Sequence, residues 1–145
     1  MMKKILCSIV FICFTTAIVI AGVDFSQDDY NRALKGDKNL SETRLESADF
    51  SGKNFSGFNF TNADLEGANF QNANLTGAIF EHTDLEKTRF QGANLTNVNF
   101  YHADLEEANL KGANIEGANF KNAELEYTTW TDDRICAEGS IGSCW

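Results

Sequence analysis

Residues 63–87 read ADLEGANFQNANLTGAIFEHTDLEK, and a large apolar side chain returns at every fifth position: Leu65, Phe70, Leu75, Phe80 and Leu85. Neither regular secondary structure accommodates that spacing. Five helical steps advance about 140° round an axis, and five strand steps alternate between faces. If all five side chains are to share one core, the backbone must turn by a constant angle every five residues.

The period extends in both directions, from Leu45, Phe50, Phe55 and Phe60 through the opening stretch to Leu110, Ile115, Phe120, Leu125 and Trp130. Two positions before each sits a small residue, most often Ala, and between the two stands Asp or Asn in most modules. A slower period is superimposed. Leu45, Leu65, Leu85, Leu105 and Leu125 recur at twenty residues, as do Phe60, Phe80, Phe100 and Phe120. Four modules per coil, each turning about 90°, stack like upon like.

The module A-[DN]-[LF]-x-x, in phase over residues 45–131, resembles the pentapeptide-repeat family. The resemblance implies an all-β fold, a right-handed quadrilateral β-helix. In it the Leu or Phe and the small residue face inward and the remaining positions face solvent. Coils then lie about 4.8 Å apart, the ordinary strand spacing. The absence of Pro suits a ladder that uses every backbone N–H, and Gly52, Gly57, Gly67, Gly77, Gly92, Gly112 and Gly117 fall at the corner position. Lys53 and Phe58 occupy small-residue positions, which predicts a wider or irregular first coil. Ile79 and Arg89 replace the usual Asp or Asn.

Outside the repeat the chain divides into three segments. Residues 1–21 read as a signal peptide, with Lys3 and Lys4 as the positive region, an apolar run to Ile20 and small residues at the cleavage point. The competing reading is an uncleaved membrane anchor, because Ile5 to Val23 is long enough to span a bilayer. Neither Cys7 nor Cys13 follows a small residue, as a lipobox requires. Export from a bacterial cytoplasm, to the periplasm or beyond, is therefore expected.

Residues 22–44 are expected to form an N-terminal cap. Ser26-Gln27-Asp28-Asp29 reads as a capping box opening a short helix to about Lys35, with Gly36 ending it and Tyr30, Ala33 and Leu34 covering the first coil. Residues 132–145 are expected to close the other end with Ile135, Trp145 and a disulfide between Cys136 and Cys144, next to Trp130. Closing so short a loop contributes about 2.5 kcal/mol on the chain-entropy model.

The chain carries a net charge of −9, and without Lys3 and Lys4 its 10 basic and 21 acidic residues give −11. That balance argues against direct binding of nucleic acid or anionic lipid, and leaves contact with a membrane only through an uncleaved signal. The charge is not evenly spread. After the leucines of one face come Glu46, Glu66, Glu86, Glu106 and Glu126, and before them Arg44, Asp64, Asp84, Asp104 and Glu124. Two parallel acidic columns result, with about 1 kcal/mol of repulsion per contact in water before splaying and salt relieve it. They read either as a solvated face that keeps stacked coils soluble, or as a binding surface for a basic protein or divalent cations.

The Asn columns (Asn54, Asn74, Asn94 and Asn114; Asn59, Asn99 and Asn119) read as side chains that satisfy turn backbone groups. His82 and His102, twenty apart, stack on the Phe80 face, and two histidines alone make a poor metal site. No Ser or Cys pairs with His in a recognisable motif and no Gly-rich phosphate loop is present, so no catalytic residue, cofactor or metal is assigned. Two functional readings follow. One is an exported, non-catalytic structural or protein-interaction module, expected as a monomer, whose acidic face meets an unknown partner of basic character. The alternative comes from the resemblance: some pentapeptide-repeat proteins resemble B-form DNA in shape and charge and inhibit or protect DNA gyrase. Against it stand the export signal and a solenoid of only about six to seven base pairs in length.

Overall fold

The computed structural model describes residues 24–145. The signal-peptide expectation for residues 1–21 lies outside the described residues. From Leu40 to Leu125 the chain winds as a four-sided coil in which parallel bridges join residues twenty apart. Along one side Arg44, Asp64, Asp84, Asp104 and Glu124 are bridged in succession, along another Asn54, Asn74, Asn94 and Asn114. The sides are called the Leu45, Phe50, Phe55 and Phe60 faces, each after one of its inward residues.

Each corner is a turn closed by a backbone bond, such as Ala48 N–H to Leu45 O at 3.0 Å, and the second residue after the apolar position has positive φ. Glycine adopts that conformation without cost, as at Gly92 (φ +66°). Elsewhere polar or aromatic residues hold it, His82 at φ 55° and Lys87 at φ 56° among them. With a turn in every module only one residue per side is left to pair. Hence the ladder consists of single-residue bridges, with no extended strand among the described residues. The all-β expectation holds for the ladder but not for strand content.

The core is a column of stacked rings and aliphatic side chains. Phe60, Phe80, Phe100 and Phe120 stack with centroids 4.9, 5.5 and 4.9 Å apart, and Phe50, Phe70 and Phe90 form a second stack at 5.2 and 5.5 Å. The two stacks meet edge to face, as Phe70 and Phe80 do at 6.0 Å. Each fully buried Leu or Phe contributes about 1.5 to 3 kcal/mol, and the ring pairs about 0.5 to 1.5 more. Where Thr replaces Ala at the inward small position, its hydroxyl donates to a carbonyl: Thr83 to Phe60 O at 2.7 Å and Thr128 to Leu105 O at 2.7 Å.

The first coil is regular, contrary to the expectation from Lys53 and Phe58. Phe58 is buried edge-on against Phe55 at 5.1 Å, Lys53 remains exposed, and the bridges Asp49 to Asn69 and Asn54 to Asn74 keep register. The ladder also begins earlier than residue 45, because Leu40 is fully buried and Asn39 bridges Asn59.

Helix α1, Gln27–Leu34, covers the first coil. Ser26 caps it by accepting from Asp29 N–H at 3.3 Å, but the capping box is not reciprocal. Asp29 instead accepts from Arg44 N–H at 3.3 Å, and Ser26 N–H donates to Arg44 O at 2.7 Å. Ala33 is buried and Tyr30 stacks on Phe50 at 5.3 Å, whereas Leu34 is 47% exposed and Phe25, bridged to Leu45, takes the covering role expected of it.

At the other end Cys136 is buried and joined to Cys144 by the expected disulfide, and Trp130 packs on Phe120 at 5.2 Å. Ile135 and Trp145 point to solvent, 58% and 65% exposed, and do not cover the coil. No helix among the described residues is long and apolar enough to cross a membrane.

Candidate interaction face

The Leu45 face carries both acidic columns, and the structure gives them different work. In the inner column Asp64, Asp84 and Asp104 each accept the backbone N–H two residues on, from Glu66 at 3.2 Å, Glu86 at 3.0 Å and Glu106 at 3.0 Å. These are the bonds that asparagine makes on the other faces, for example Asn74 accepting from Thr76 N–H at 3.2 Å. One oxygen of each Asp is therefore committed to the turn. What asparagine adds is an amide donor that reaches the previous coil, as Asn74 reaches Asn54 Oδ1 at 3.2 Å. Aspartate has no such donor, so the column stacks like charge on like charge.

Lost water between the coils pushes the Asp64 and Asp84 carboxyls above the usual carboxylate range, and the neighbouring carboxylates push the same way. Glu106 is raised too, through lost water and then Glu126 and Asp104. The outer column splits along its length. Lys87, at a corner of this face, donates to Glu66 at 3.1 Å and also to Glu86, and these bonds raise the Lys87 ammonium above its ordinary range. Glu46 accepts from Asp24 N–H, and Arg44 pairs with Asp24 at 3.4 Å.

Past Lys87 no basic side chain pairs with the columns among the described residues, so Asp104, Glu106, Glu107 and Glu124 make no ion pair. Glu126 accepts from Gly139 N–H at 3.4 Å. Tyr127, 46% exposed at the adjoining corner, is raised above its ordinary range by Glu138, lost water and Glu126. All nine acidic positions singled out in the sequence thus lie on one face. The spacing did not show that the aspartates double as turn acceptors. That Lys87 stands beside Glu66 and Glu86 was legible, since it lies two residues after Leu85.

His82 and His102 stack at 5.0 Å, with Asn122 Nδ2 3.1 Å from His102 Nε2 and Tyr101 edge-on at 4.3 Å. Among the described residues no group of three or more His, Cys, Asp or Glu is placed to hold a metal ion. The Asn columns satisfy turn groups as expected, and Asn99 turns to Glu81 at 2.6 Å because Ile79 offers it no acceptor.

Eight copies of the family model for pentapeptide repeats match the chain, over residues 39–77, 54–92, 73–112 and 88–126. No curated protein matches. Among solved structures the chain is similar to a pentapeptide-repeat protein of the Arabidopsis thaliana thylakoid lumen, AT2G44920. The two share 30% identity with a TM-score of 0.64, over 73% of this chain and 79% of that one. It is also similar to HetL of Nostoc sp. strain PCC 7120, a pentapeptide-repeat protein involved in regulating heterocyst differentiation. There the identity is 33% and the TM-score 0.62, over 63% of this chain. The chain spans 42% of HetL's length. The five-residue turns, the twenty-residue bridges and the matched repeats agree: this chain belongs to the pentapeptide-repeat family.

Proposed function

We propose that this right-handed quadrilateral β-helix is an exported, non-catalytic interaction module, and that its acidic Leu45 face meets a protein of basic character. One observation carries the reading. The two carboxylate columns run in register up a single side, with Lys87 the one ammonium paired into them among the described residues, so the half from Asp104 to Glu126 is concentrated negative charge on a rigid support. A preformed column loses little conformational freedom on binding, and its potential steers a positive partner. Capture from an envelope extract tests the reading. The E66K/E86K/E106K protein, folded as judged by an unchanged circular dichroism spectrum, is expected to lose the partners that the unmodified protein retains. Undiminished capture overturns the binding face.

Export is supported by the N-terminal sequence and by the Cys136–Cys144 disulfide, which suits an oxidising compartment. Intact mass without reductant, on protein from fractionated cells, reads both. A periplasmic species beginning near Gly22 and two mass units light is expected. A full-length cytoplasmic species with free thiols contradicts export.

A further inference from the structure

The last coil is closed on two of its four sides. On the Leu45 side Ile141 lies antiparallel to Glu124, with Leu125 N–H donating to Ser140 O at 2.9 Å and Gly142 N–H to Ala123 O at 2.9 Å. On the Phe50 side Ile135 lies antiparallel to Thr129, with Trp130 N–H donating to Arg134 O at 2.8 Å and Cys136 N–H to Thr128 O at 2.9 Å. The Phe55 and Phe60 sides present the same groups: Ala113 O with Ile115 N–H, and Ala118 O with Phe120 N–H. None of these four has a hydrogen-bond partner among the described residues. Ile115 and Ala118 are only partly buried, where their counterparts one coil earlier, Leu95 and Val98, are 0% and 1% exposed.

The cap segments have the matching deficit. Their antiparallel bridges use the groups flanking Ile135 and Ile141, which leaves the N–H and C=O of those two residues directed away from the coil beneath. None of these four groups has a partner among the described residues, and both side chains are 58% exposed. In the same layer Ser140 Oγ is buried without a hydrogen bond.

We propose that two copies of the chain dock end to end about a twofold axis across the solenoid, each copy's cap segments filling the two open sides of the other. The caps then share one layer, two sides from each copy, and complete a four-sided coil. The twofold reverses the second copy's coil. Its cap segments run antiparallel to that coil, and therefore parallel to the open sides they meet. The solenoid's own rung pattern applies there. Asn114 N–H donates to Ala93 O at 3.0 Å and Leu95 N–H to Asn114 O at 2.8 Å. In the same way the second copy's Ile135 N–H donates to Ala113 O and its C=O accepts from Ile115 N–H, and Ile141 does the same with Ala118 and Phe120. All eight of these groups gain a partner, and the exposed isoleucines are covered. The interface is isologous and closes at two copies, since α1 covers the other end. This differs from the monomer expected from the sequence and stands apart from the acidic-face reading.

Sedimentation equilibrium and amide exchange on the protein as recovered from the cell test the proposal. A mass of twice the protomer is expected at tens of micromolar. The Ile115 and Phe120 amides of the unmodified protein are expected to slow by at least about tenfold as concentration rises through the dimerisation range. The I135D/I141D variant, changed only at solvent-exposed side chains, is expected to sediment as a protomer with an unaltered circular dichroism spectrum. A protomer mass at all concentrations, a dimer indifferent to I135D/I141D, or concentration-independent exchange at Ile115 and Phe120 overturns it.

Discussion

Asn72 Oδ1 stands 2.6 Å from the point that a Cβ on Gly92 would occupy, one coil further on. A side chain there meets two obstacles, the positive φ of +66° and the asparagine leaning over it. Gly112 has a similar φ of +69° but nothing within 4 Å. Gly112→Ala therefore costs about 1 kcal/mol, the conformational part alone. Gly92→Ala is expected to melt lower than Gly112→Ala, and adding Asn72→Gly, which removes the leaning side chain and accepts the positive φ of 56° at that position without cost, to remove that difference. Thermal denaturation of the three variants checks both statements.

The stacked aspartates predict an unusual dependence on pH. A carboxyl whose pKa in the folded chain lies above its unfolded value stabilises the fold fully at low pH, and the contribution is lost as pH rises through the folded value. Asp84 is raised by lost water and by Asp104. Asparagine keeps the acceptor for Glu86 N–H and gains a donor toward Asp64. Asp84→Asn is therefore expected to raise the melting temperature at pH 7 and to change it little near pH 3.5. Asp49 should behave oppositely. The Ser51 hydroxyl and amide hold its carboxyl below the usual range, so its contribution is present at neutral pH and disappears as pH falls.

Lys87 holds Glu66 and Glu86 together across successive coils. Lys87→Gln removes the cation that pairs with both Glu66 and Glu86 and leaves the carboxylates to repel. Its melting temperature is expected to fall below that of the unmodified protein at low ionic strength. The gap should narrow as salt rises, since screening acts on exposed charges. A gap independent of salt would mean that Lys87 acts through packing.

The Cys136–Cys144 bridge pins the cap that supplies two of the last rungs. Loop entropy gives it about 2.5 kcal/mol, so Cys136→Ser is expected to lower the melting temperature by several degrees. Amide exchange should show the loss concentrated at Leu125 and Trp130, whose N–H groups donate to the cap.

The winding and the face assignments were legible because one periodic constraint, an inward side chain every five residues, leaves the backbone little choice. Leu40 obeys the same rule, with Asn39 before it and Thr43 opening the next module, so the earlier start was legible as well. The caps were read less well. Apolar character at Leu34, Ile135 and Trp145 does not say which way a non-repeating segment faces, and all three point outward. The dual role of the aspartates was hidden for another reason. Asp and Asn make the same turn bond, and only the coil-to-coil geometry reveals what the missing amide donor costs.

The most direct test of the acidic face holds net charge constant and moves its location. E66K/E86K/E106K and E42K/E81K/E116K change the charge equally, the first on the Leu45 face and the second on the Phe55 and Phe60 faces. Capture from an envelope extract at matched ionic strength is predicted to be lost in the first and retained in the second. Equal loss, or equal retention, would contradict a binding face on the Leu45 side.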